Sequence, residues 1–96
     1  MRTMARISIP VEAGNSAIQS GSLPKVMQEA VERWKPEATY FTTFDGKRTA
    51  FFIFDLPDSS DIPVFAEPFF SGLSAEVVLA PVMNGDDLQK GLSGLA

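Results

Sequence analysis

The side chains in this chain that could do chemistry are few. Arg6 and Ser8 stand two apart in "ARISIPVE", a spacing that puts both on one side of an extended strand. An arginine on a central strand can hold a carboxylate or enolate through its planar fork. The alternative, and the preferred reading, is that Arg6 reaches the sheet rim and pairs with an acid such as Glu76. Tyr40 and Trp34, the single tyrosine and single tryptophan, flank the corner between a helix and a strand. Each has an apolar body and a polar tip, the combination that orients ligands in pockets. Packing explains Trp34 more simply, because it falls in register with a helical stripe.

The acids Asp55, Asp58, Asp61, Asp86 and Asp87 raise the question of a divalent cation. Calcium needs six to eight converging oxygens, and no loop has the EF-hand spacing. Helix capping accounts better for Asp58, Asp61, Asp86 and Asp87, so no metal site is assigned. Histidine and cysteine are absent. Thiolate nucleophiles, disulfides, imidazole bases and the common structural zinc sites are therefore excluded. Catalytic residues are left unassigned, and no cofactor is expected. "EAGNSAIQSGS" places glycines before a helix but matches neither the P-loop nor the dinucleotide fingerprint, and is expected to be a connecting loop with at most one helical turn.

These residues need a scaffold. In 96 residues there is room for one domain, 1–96, which buries only about 60 to 70% of the surface its unfolded form exposes. Eight basic residues, scattered among twelve acidic ones, give a net charge of −4, which argues against nucleic acid as a partner. No stretch approaches the roughly 18 to 20 apolar residues of a membrane span, and the start lacks a secretory pattern, so a cytoplasmic location is expected.

"ARISIPVE" alternates as a strand with Ala5, Ile7, Ile9 and Val11 on its apolar face. "SLPKVMQEAVERWKPE" reads as a helix that starts at Ser22 and is stopped by Pro36, with Leu23, Val26, Met27, Ala30, Val31 and Trp34 as its buried stripe. "TYFTTFDGKRTAFFIFD" reads as a hairpin turning at Asp45-Gly46. A second helix, "DIPVFAEPFFSGL", repeats the same stripe offsets with Ile62, Phe65, Ala66, Phe69, Phe70 and Leu73. Pro68 bends it on the solvent side. "SAEVVLAPVM" closes the order as a strand, and Asn84 caps a short tail helix edged by Leu88, Leu92 and Leu95.

The predicted class is α+β: a ferredoxin-like βαββαβ antiparallel sheet with two helices on one face and a short C-terminal helix. A two-residue turn puts Tyr40, Thr42, Phe44, Thr49, Phe51 and Ile53 on one face of the hairpin and Phe41, Phe52 and Phe54 on the other. Helices can cover only one of them. The other would leave an apolar patch that soluble monomers rarely expose, which points to a homodimer joined through the sheet face.

With this order and length, and with segments such as "DGKRTAFFIFD" and "EVVLAPVM", the chain resembles the dimeric α/β-barrel group of ferredoxin-like domains, including small uncharacterised bacterial proteins. The resemblance implies two subunits stacking their sheets into a shared barrel. The group includes cofactor-independent oxygenases, haem-degrading enzymes, isomerases and ligand sensors. A histidine-dependent mechanism cannot carry over to a chain without histidine. The function expected here is binding of a small apolar or aromatic molecule between sheet and helices, with Arg6, Ser8, Trp34, Tyr40, Phe65 and Phe69 as candidate contacts. A cofactor-independent oxygenase or isomerase, and a purely structural or interaction module, are the alternatives.

Overall fold

Alternating apolar and polar residues from Arg2 to Ile9 build β1, the strand that organises the sheet. The computed structural model describes residues 1–95. After β1 come α1 (Val11–Ser20), α2 (Ser22–Trp34), β2 (Ala38–Phe44), β3 (Lys47–Asp55), a single 3-10 turn (Ser59–Asp61), α3 (Ile62–Leu73), β4 (Glu76–Pro81) and α4 (Gly85–Ser93). The four strands form one sheet in the order β2-β3-β1-β4, and every neighbouring pair is antiparallel. The chain is thus a mixed α+β domain with a four-stranded antiparallel sheet.

The predicted strand around Ile7 is shifted. It begins earlier, at Arg2, and stops at Ile9, because Pro10 takes the N-cap position of α1 and its carbonyl accepts the first helical bond from Gly14 N at 2.8 Å. Proline has no N–H to offer a strand ladder, and at a helix start that loss leaves nothing unsatisfied. Val11 therefore continues the alternation in sequence only, and lies exposed on a helix.

The segment expected to be a loop, Glu12 to Ser22, is instead helical as far as Ser20, and Ser22 already opens α2. Gly14 and Ala17 are the buried residues of α1, and their small size lets it approach the sheet. A Cβ on Gly14 would stand 2.5 Å from Arg48 Nη1. Gly21, at φ 82°, ends α1 in the left-handed conformation and is also the N-cap of α2. Ser22 is accordingly the first helical residue rather than the cap.

Asp45 and Gly46 have φ of 53° and 73°, the pair of positive values that a two-residue hairpin turn of matching twist requires. Phe44 then pairs with Lys47 and Tyr40 with Phe51. Ala5, Ile7 and Ile9 of β1 and Ala50, Phe52 and Phe54 of β3 face the helices, where Ala17, Met27, Ala30, Phe65, Phe69 and Leu73 complete the core. Phe54 stacks on Phe65 with centroids 4.4 Å apart, and Trp34 meets both rings edge-on at 5.7 and 5.6 Å. Pro68 sits on the exposed side of α3, where the freed Val64 carbonyl can meet water.

Among the described residues no helix covers the opposite face. By register it carries Met4, Arg6 and Ser8 of β1, Tyr40 and Phe44 of β2, Phe51 and Ile53 of β3, and Val78 of β4. Most of these are partly or fully exposed. Among the described residues no helix is long and apolar enough to cross a membrane.

Candidate functional site

The sheet divides the six candidate contacts into two groups. Arg6, Ser8 and Tyr40 belong to the uncovered face, whereas Trp34, Phe65 and Phe69 belong to the helix side. Arg6 lies on β1 with its guanidinium over the Phe44 ring, 4.4 Å from the centroid. The expected Arg6–Glu76 pair is not formed. Glu76 lies opposite Ser8 in the β1–β4 register, and its carboxylate meets Lys47 Nζ at 3.6 Å. Ser8 is buried, and its hydroxyl bonds that of Thr49 on the neighbouring strand at 3.2 Å. This pair is satisfied internally, so Ser8 has a structural partner. Tyr40, on edge strand β2, is 67% exposed.

On the other side, Phe65 and Phe69 are almost fully buried, and Trp34 is partly so. All three also form the floor of a shallow groove of about 140 Å³ between α2 and α3, rimmed by Glu29, Arg33 and Pro68. Arg33 lies over the Trp34 ring at 5.5 Å. These three candidates are therefore brought together, but chiefly as core that the groove grazes.

A second cleft of about 230 Å³ opens between α1, α2 and the β2 edge of the sheet. Ile9 and Ala50 make its floor, Ile18, Leu23 and Met27 its helical wall, and Phe41 its outer lip, with Thr42, Thr49 and Arg48 beside them. Phe41 points to the helix side of the sheet, but β2 lies beyond the helices' reach, and the ring is 65% exposed. Arg48 donates to Val11 O at 3.3 Å and to Asn15 Oδ1 at 2.9 Å, tying β3 to the first turns of α1. This cleft is larger than the ~150 Å³ apolar cavity that accommodates benzene, and smaller than the ~300 Å³ at which drug-sized pockets begin. One ring with short substituents fits that size.

None of the six candidates lines this cleft. Ile18 lies in the segment expected to be a loop, although Val11, Gly14, Ala17 and Ile18 repeat at helical spacing in "VEAGNSAIQS". The hairpin register groups Phe41 with Phe52 and Phe54, but its exposure depends on how far the helices extend over β2.

Among the described residues no group of three or more acidic, histidine or cysteine side chains is placed to hold a metal ion. Asp58 caps the 3-10 turn, and its carboxyl is held below the usual aspartate range, first by the Ser60 hydroxyl and then by the Ser60 backbone N–H. Asp87 and Asn84 form a reciprocal capping box at α4. Compared with known proteins, the chain matches no protein-family model and no curated protein.

Proposed function

We propose that this chain is a ferredoxin-like domain that pairs with a second copy through its uncovered sheet face and binds a small, mainly apolar molecule in the cleft under Phe41. The sheet order, its antiparallel neighbours and the helices packed on one face support the ferredoxin-like reading. Exposed or half-exposed Tyr40, Phe44, Phe51 and Val78 on the other face support the dimer, because a contiguous patch of this kind is normally covered. Sedimentation at micromolar concentration should give twice the chain mass. A stable monomer would remove the dimer.

The observation that carries the binding reading is the cleft itself: aliphatic floor and wall, an aromatic lip, and an opening to solvent. Buried apolar surface of this kind offers little to a polar metabolite and suits a ligand of about one ring. The test is a thermal-shift series with monocyclic aromatic and short branched aliphatic compounds. A ligand at ten times its Kd contributes about 1.4 kcal/mol, or roughly 6–11 °C in a domain of this size. Phe41→Ala and Ile18→Arg alter the lip and mouth at exposed positions, and should abolish the shift while leaving the unliganded midpoint nearly unchanged. If no compound of this size stabilises the protein, or if both variants respond like the wild type, the binding reading fails.

A further inference from the structure

We infer that α4 is an exchanged arm, which leaves its own domain and seats Leu88, Leu92 and Leu95 on the uncovered sheet face of a second copy. This rests on the homodimer reading and adds to it the element that completes the interface. No residue of α4 is buried; Leu88 and Leu92, one turn apart on it, are 47% and 56% exposed, and Leu95, in the turn just after the helix, is 79% exposed. That spacing makes one apolar edge on a helix whose other sides carry Asp86, Asp87 and Lys90. A helix of nine residues has little stability of its own, so an unpaired leucine edge needs a surface to hold it.

The shape of the chain indicates that this surface is on another molecule. The radius of gyration is 15.1 Å, whereas a compact domain of this length has about 12–13 Å. The longest dimension is 55 Å, against 27 and 18 Å for the others. The connection from β4 to α4 has no slack for folding back. Val82 N is still bonded to Arg2 O at 3.1 Å, Arg2 Nη1 reaches Asp87 Oδ2 at 3.2 Å, and the Asn84–Asp87 capping box sets the direction of the first turn.

Area and charge favour a second copy as the occupant. Four strands about 4.8 Å apart and roughly six residues long present a face of about 400 Å², whereas a standard interface takes about 800 Å² from each partner. Two arms related by a twofold axis would each lie on the part of the partner's sheet face that the sheet-to-sheet contact leaves open and add their own apolar surface to the interface, because in a symmetric dimer every contact occurs twice. Among the described residues Arg6, central on the uncovered face, has no ion pair, and neither has Asp86 on the arm. These two unpaired charges are of opposite sign.

The test combines affinity with a contact measured between molecules. Leu88→Ser with Leu92→Ser should raise the dimer Kd by at least about 100-fold, since four leucine burials are lost per dimer. Both positions are exposed within one chain, so the monomer should fold as before by circular dichroism. Because the chain has no cysteine, Lys90→Cys provides a single site for a spin label. Mixed with isotope-labelled wild-type chains, it should broaden amide signals of Tyr40, Phe51 and Val78 in the unlabelled-spin partner. A dimer with unchanged Kd in the leucine variant, or without broadening between molecules, overturns the arm and leaves the homodimer standing. A wild-type chain that remains monomeric at about 100 μM, far above the range of a specific dimer of this size, overturns both.

Discussion

Replacing Phe65 by alanine should be among the most damaging single changes in this domain. Its ring is 1% exposed and lies at the centre of four others: stacked on Phe54 at 4.4 Å, tilted against Phe69 at 5.3 Å, and edge-on to Trp34 and Phe52 at 5.6 and 6.2 Å. Truncating a buried phenylalanine to alanine costs about 3–5 kcal/mol, through lost transfer energy and the cavity left behind. Each aromatic pair adds about 0.5–1.5 kcal/mol beyond area, not additively, which puts this site near 4 kcal/mol. Small domains have about 5–15 kcal/mol in total. The midpoint of thermal unfolding should fall by roughly 15–30 °C. Urea unfolding followed by Trp34 fluorescence and by circular dichroism gives the free energy, run at matched protein concentrations because dimerisation makes the midpoint concentration-dependent. Phe70, 43% exposed on the same helix, is the control and should cost less than about 1 kcal/mol as alanine when the chain is monomeric. Should Phe65→Ala lose less than about 1.5 kcal/mol, or Phe70→Ala lose as much, the ring cluster is not the centre of the core and the packing argument is wrong.

Gly14→Ala brings a Cβ against Arg48 Nη1, so the guanidinium must withdraw from Val11 and Asn15. In an Arg48→Met background the same change should stabilise by about 1 kcal/mol through helix propensity. In the wild type that gain should vanish, and equal effects in the two backgrounds by chemical denaturation would disprove the contact. Gly46→Ala forces a side chain onto φ 73° and should cost about 1–2 kcal/mol, measurable as a lower urea midpoint with unchanged slope. Ser60→Ala should raise the Asp58 pKa toward the ordinary aspartate value in an NMR titration, only part of the way, since the Ser60 N–H still donates. A carboxyl with a lowered folded-state pKa stabilises above its unfolded pKa and loses that contribution as pH falls through the folded value. The Ser60→Ala protein should therefore show a weaker pH dependence in the acid range, by a small amount because the carboxylate is fully exposed.

Several elements are determined by neighbours in sequence. The Asp45-Gly46 turn follows from residues that tolerate positive φ, and the two-residue loop then settles which rings share a face. The centres of the α2 and α3 stripes, with Met27, Ala30, Phe65 and Phe69 buried, follow from helical periodicity, whereas Val31, Ile62 and Phe70, expected in the same stripes, lie at their edges and are exposed. The α4 cap follows from Asn84 and Asp87 three residues apart. Interactions of this kind span a few residues, so their pattern is written along the chain.

Other features exist only where distant segments meet. α1 is polar and glycine-containing, with weak helical preference, and its buried residues Gly14 and Ala17 need the sheet and Arg48 beside them. Arg6 meets Phe44 instead of Glu76, because Glu76 lies opposite Ser8 and Lys47 reaches it first. Phe41 and Phe52 look alike in sequence and point to the same side of the sheet, yet Phe52 is sealed and Phe41 is the lip of a cleft. Alternation along a strand determines which side a residue faces. How far the helices extend over that side is set by crossover length and packing, and in this protein they stop short of β2, leaving the cleft.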